Sequence, residues 1–187
     1  MKYISKGAIM RECTEEILYV SRCGKEYALS KPSSTLWLEG RFRVHETRSE
    51  LEDAKLAHLI HIGLVEVAED DSRLAQYRML SQCVILPATL KKLRRPLNAA
   101  EKNLWTWISE AGLCLTMAEL VFLVTNEIKP TADLLGMENL QALTERIYTV
   151  DNIRERVLDI QMETAAGRDA AIDAVLGLLH KKHLVLV

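Results

Sequence analysis

Leu56, Leu59 and Ile60 recur at helical spacing, the run stops at Gly63, and Leu64-Val65-Glu66-Val67 then alternates. That order predicts a helix closed by a left-handed glycine and followed directly by a half-buried strand. The phrase returns at the far end of the chain, where Leu176 and Leu179 precede Leu184-Val185-Leu186-Val187 and His183 stands at the offset of Gly63. Two units of related design are therefore expected.

The other periodicities fill in the order. Ile17 to Ser21 and Glu26 to Ser30 are β-prone runs flanking Arg22-Cys23-Gly24-Lys25, a hairpin with Gly24 at the tight position. Pro32 suits the first turn of a helix over about Ser33 to Gly40, anchored by Leu36 and Trp37. Arg41 to His45 alternates weakly, as a short strand or a turn. A helix over about Arg48 to Ile62 opens with Glu50, Glu52 and Asp53, which its dipole favours. The strand Leu64 to Ala68, the polar turn Glu69 to Arg73 and a second strand over about Leu74 to Leu80 then have the layout of a wing.

In the second half, Asn98 with Glu101 and Thr116 with Glu119 have capping-box spacing. The first predicts a helix with Leu104, Trp105, Ile108 and Ala111 on one face, stopped by Gly112, with one of Trp105 and Trp107 in the core. The second predicts a helix to about Ile128, ended by Pro130. Helices over about Thr131 to Tyr148 and Val150 to Glu163 follow, then one from Arg168 to Lys182 after Gly167.

The expected domains are a hairpin-plus-unit segment over 1–83, a basic linker over 84–97 and a helical unit over 98–187 with a helical insertion at 131–163. Charge sharpens this division. Residues 1 to 95 carry 16 of the 24 basic and 13 of the 26 acidic side chains, a net +3, and the remainder is −5. A nucleic-acid surface is therefore expected in the first half. At 187 residues and 49% hydrophobic, the chain can bury a proper core.

The helix, the phrase ending Gly63-Leu64-Val65 and the wing that follows it resemble the winged helix-turn-helix fold. Leu56, Leu59, Gly63, Leu64 and Val65 carry the resemblance, Leu176, Leu179, Leu184 and Val185 repeat it, and Leu115 to Leu120 resembles the entry to the second helix. It implies a mainly α protein with small β wings (α+β), built of two winged-helix-like units, the second with inserted helices and a truncated wing. It also implies a DNA-binding transcriptional regulator, with the third helix in the major groove and the wing on the backbone. Double-stranded DNA would then meet Arg41, Arg43, Arg48, Lys55, Arg73 and Arg78, with Lys91, Lys92, Arg94 and Arg95 of the linker following phosphates. The glutamates at the start of the Leu56 helix oppose that role. The alternative is a protein or peptide interaction module, because residues 17 to 64 are also similar to small modules that recognise the leader peptides of modified peptides. The apolar faces of 131–163 suggest a homodimer interface, or a cover for the second unit's core.

Candidate chemistry is sparse. The sequence has no Gly-rich phosphate loop, Gly-x-Ser-x-Gly elbow or His-Glu-x-x-His, so neither an enzyme nor a cofactor is expected. His58 with His61 and His180 with His183 stand three apart but lack an acidic or cysteine partner at a telling distance, so no metal is expected. Cys13, Cys23, Cys83 and Cys114 form no CxxC pair and are expected as reduced, mostly buried thiols. Apolar runs such as Leu120 to Val124 are too short to span a bilayer and no secretory leader is legible, so a cytoplasmic protein without a membrane partner is expected.

Overall fold

The computed structural model describes residues 1–10, 13–88, 96–153 and 156–187. The fold is mixed α+β, with small antiparallel sheets among eight α-helices in the described residues. It divides into one unit of residues Met1–Cys83 with Val185–Val187 and a second of Val84–Leu184.

The first unit runs β1 (Lys2–Ser5), β2 (Ala8–Ile9), β3 (Ile17–Arg22), β4 (Lys25–Ser30), α1 (Lys31–Glu39), β5 (His45–Glu46), α2 (Glu50–His61), β6 (Val65–Ala68) and α3 (Arg73–Ser81). One sheet has the order β5-β1-β6 and a second the order β2-β3-β4. β1 pairs antiparallel on both sides, Tyr3 opposite His45 and Val67. Tyr3, Val20, Leu29, Leu36, Trp37, Leu56, Leu59 and Leu64 form the core. Full burial of each aliphatic side chain contributes roughly 1.5–3 kcal/mol. Two polar atoms are satisfied on the way in, as Tyr3 Oη donates to the Leu36 carbonyl at 2.8 Å and Trp37 Nε1 to the Lys6 carbonyl at 3.0 Å.

The expected second wing strand over Leu74 to Leu80 is instead the helix α3. Ser72 caps it, its side chain accepting from the Ala75 N–H at 3.0 Å, and Asp70 accepts from the Ser72 N–H at 2.7 Å. Leu, Ala, Gln, Arg and Met are all good helix formers. The apparent alternation arises because Ala75, Tyr77, Met79 and Leu80 are all buried, so the helix is enclosed on more than one face. β6 therefore pairs with β1 at the start of the chain, not with a strand that follows it.

The second unit runs β7 (Val84–Pro87), α4 (Ala99–Glu110), β8 (Leu115–Thr116), α5 (Met117–Thr125), a 3-10 turn at Met137–Asn139, α6 (Leu140–Ile147), α7 (Val157–Met162) and α8 (Arg168–His180), and its last residue, Leu184, opens β9 (Leu184–Leu186). The sheet order is β8-β7-β9. Val84–Pro87, expected as part of the linker, is thus the central strand of a sheet. The basic run Lys91, Lys92, Arg94 and Arg95 lies outside the described residues. Both capping boxes form, at Asn98 with Glu101 and at Thr116 with Glu119. Trp107 is the buried tryptophan, and Trp105 meets the His183 ring edge-on at 5.2 Å.

The inserted helices are shorter than expected. Residues 131–135 form a turn in which the Leu134 and Leu135 N–H groups both reach the Thr131 carbonyl. After α6, Asn152 closes a loop by accepting from the Thr149 N–H at 2.7 Å and donating to the Ile147 carbonyl at 2.9 Å. Arg156 is left-handed at φ 62°. Val150 and Ile153, expected on a packing face, are 91% and 68% exposed.

The two halves of the chain repeat one topology. In each, the opening strand lies in the middle of its sheet, beside a two-residue strand after the first helix and a strand after the Leu-x-x-Leu helix. Tyr3 opposite His45 matches Ile85 opposite Leu115. The helix stops also match, with a one-residue correction. Gly63 N–H bonds to the Ile60 carbonyl and Leu64 N–H to Leu59, while Lys182 bonds to Leu179 and His183 to Leu178. Lys182 at φ 61°, rather than His183, is therefore the counterpart of Gly63 at φ 75°.

Candidate functional site

The hairpin β3–β4 presents the clearest recognition feature of the first unit. Arg22 pairs with Lys25 across Cys23 and Gly24, at φ 49° and 76°. Two positive φ values in a two-residue turn make it type I′, whose flanking residues exchange both hydrogen bonds. Along an antiparallel pair, bonded and non-bonded positions alternate. Lys25, Tyr27 and Leu29 therefore bond to β3, and Glu26, Ala28 and Ser30 turn their N–H groups away from it. β4 has β3 as its one neighbour among the described residues, so these donors line an open sheet edge.

The two faces of that edge differ. Glu26, Ala28 and Ser30 are exposed, whereas Leu29 is buried and Tyr27 half-buried against the core beside Leu18, Ile60 and Ile62. A strand laid along β4 would meet water on one face and an apolar flank on the other. The Arg22 guanidinium of the hairpin lies against Gly63 at the end of α2, in the space that a Cβ there would take. Gly63 thus serves both the positive φ and this approach, and a cation at the helix C-terminus suits the dipole.

The described residues expected to meet DNA sit in different local settings. Arg41 packs its guanidinium 5.1 Å from the Trp37 ring and 5.0 Å from that of Phe42, and burial lowers its pKa. Such a site uses the cation for packing. Arg43 and Arg48 are exposed and Lys55 is half-buried. Arg73 and Arg78 lie on α3, not on a wing, where Arg73 bonds Gln76 at 3.0 Å and Arg78 pairs with Glu69 at 3.7 Å. The end of α2 that would enter a groove carries Glu50, Glu52 and Asp53, with Ser49 as its cap and the Glu52 carboxylate accepting from the Arg48 N–H at 2.7 Å. These carboxylates stabilise the helix and would repel phosphates.

Among the described residues, no group of three His, Cys, Asp or Glu side chains could hold a metal ion. His58 and His61 occupy the last turn of α2. Three of the four cysteines, Cys13, Cys23 and Cys114, are exposed rather than buried. Cys83 is the buried one, and burial pushes its thiol up to about 12. No described helix is long and apolar enough to cross a membrane. No protein-family profile, curated protein or solved structure matches the chain.

Proposed function

We propose that this protein is a protein or peptide interaction module, and that its first unit takes up an extended partner segment by strand addition on β4. The observation that carries this reading is the open edge formed by the Glu26, Ala28 and Ser30 N–H groups beside the half-buried Tyr27. The partner is an extended segment with apolar residues at alternate positions, since every second side chain would fall on the Tyr27 flank. Both units are read as rearranged winged-helix scaffolds in which the opening strand occupies the centre of the sheet. The first has a single helix between its flanking strands, and the second separates α5 from α8 by residues 126–167.

The test uses peptides enriched on the intact chain from a random displayed library. Ala28→Pro removes one outward donor without costing a β3 bond, a position where edge strands tolerate proline. The variant should keep the wild-type circular dichroism spectrum and lose the enriched peptides. Unchanged binding by a folded Ala28→Pro variant would exclude the edge.

A second reading, DNA binding, is favoured by the exposure of Arg43, Arg48, Arg73 and Arg78 in the half of the chain with net charge +3. The interaction reading predicts no salt-sensitive binding of a labelled random duplex by anisotropy. Binding that falls steeply with salt, and is lost when these four arginines become alanine, would establish the DNA reading instead. A homodimer through 131–163 is proposed from the exposure of Val150, Ile153 and Ile160. Sedimentation velocity should show a dimer that Ile153→Asp with Ile160→Asp converts to monomer; a monomeric wild type ends that proposal.

A further inference from the structure

Within the second unit, α8 is clamped at two points. Gly177 lies against the Glu101 carboxylate of α4, in space that a Cβ would take. Just before α8 begins, the Gly167 N–H donates to Thr125 Oγ1 at 3.2 Å, and a Cβ on Gly167 would stand 2.8 Å from the Thr125 nitrogen. These close approaches fix α4, α5 and α8 against one another, so a gap left among them cannot simply collapse.

Such a gap is present, a cavity of about 300 Å³. Leu104 and Trp107 of α4 and Leu123 of α5, all buried, form its apolar lining. Ala100 of α4 and Ala170 in the first turn of α8 bring only methyl groups to it. The end of α5 supplies the remaining wall. There Glu127 adopts φ 51°, a left-handed position that usually falls to glycine, with its N–H on the Val124 carbonyl at 3.1 Å and the Ile128 N–H on the Leu123 carbonyl at 2.9 Å. This turn brings Ile128 back to the helix, and Val124 and Ile128 line the cavity with Leu123. A glutamate in the left-handed region is unfavourable by itself, and here that backbone strain shapes a cavity wall.

The lining selects against charge. Besides the Trp107 indole, Asn103 supplies its one neutral hydrogen-bonding side chain, and Glu127 and Lys129 are exposed. An ionised group carried in against Leu104 and Leu123 would lose its water and gain no partner there. An apolar cavity of about 150 Å³ accepts benzene, so this one has room for two fused rings.

We propose that this cavity binds a neutral, mainly apolar small molecule of one or two rings. The site lies wholly in the second unit and does not use the β4 edge, so failure of either proposal leaves the other standing.

An NMR titration of the intact protein with indole tests it, with purine as a polar molecule of the same two-ring shape. Indole should bind saturably at millimolar or tighter affinity and shift the amide signals of Leu104, Trp107, Leu123 and Ile128. Purine should bind at least about tenfold more weakly, because its ring nitrogens would be buried against an apolar lining. Ala100→Leu and, separately, Ala170→Leu, each with its fold verified by circular dichroism, should weaken indole binding about tenfold or more by filling the space. Absence of saturable indole binding, shifts confined to residues outside the cavity, purine binding as tightly as indole, or undiminished binding by either folded variant would overturn the proposal.

Discussion

At the scale of single residues, Gly63 does two jobs that no other side chain can do. It holds φ 75° and leaves room for the Arg22 guanidinium. Gly63→Ala should therefore cost about 1–2 kcal/mol from the backbone alone, read as a lowered urea midpoint, with more if Arg22 is displaced. Its counterpart Lys182 shows that the same helix stop tolerates a side chain where the space is open. The helix stop was legible in the sequence but its second copy was misplaced by one residue, because a lysine in the left-handed region carries no local signature. Glu101 offers a pH-dependent test. Burial alone would push its carboxyl up, but the hydrogen bond from Lys181, the Asn98 N–H and the Lys181 charge outweigh burial and hold it below the ordinary value. A depressed carboxylate stabilises the fold above its unfolded pKa, and that contribution is lost as pH falls through the folded pKa. Unfolding monitored by tryptophan fluorescence should show stability falling below the ordinary carboxylate pKa. Glu101→Gln should lose about 1–2 kcal/mol at neutral pH and show a shallower acid limb.

At the scale of elements, the capped helices could be read because their signals are local. Asn98 with Glu101 and Thr116 with Glu119 satisfy backbone donors within a single turn, and nothing distant is needed. Asn98→Ala should accordingly cost about 1 kcal/mol by thermal unfolding. The segment Leu74 to Leu80 was misread because enclosure on several sides produces a period of two in a helix, and Ser72 was the overlooked sign. The late start of α7 depends on Asn152, which closes the loop after α6, and on the left-handed Arg156, neither of which interrupts the apolar spacing of the sequence. The free edge of β4 was half legible. The Cys23-Gly24 turn fixes which donors face outward, but the strand order that leaves them open is a long-range property.

At the scale of the whole molecule, the repeated topology places a strand at the centre of each sheet that precedes its helices in sequence. That arrangement uses β6 to pair with β1 rather than to begin a wing, so among the described residues no second wing strand pairs with β6. Arg41 is spent on Trp37 and Phe42, and the start of α2 is acidic. What the first unit offers instead is an open strand. Amide hydrogen exchange by NMR measures that directly. In the free protein, Glu26, Ala28 and Ser30 should exchange fast while Tyr27 and Leu29 are protected, and a saturating library-selected peptide should slow the first three. Protection of all five in the free protein, or no slowing of the first three by a bound peptide, would contradict recognition at β4.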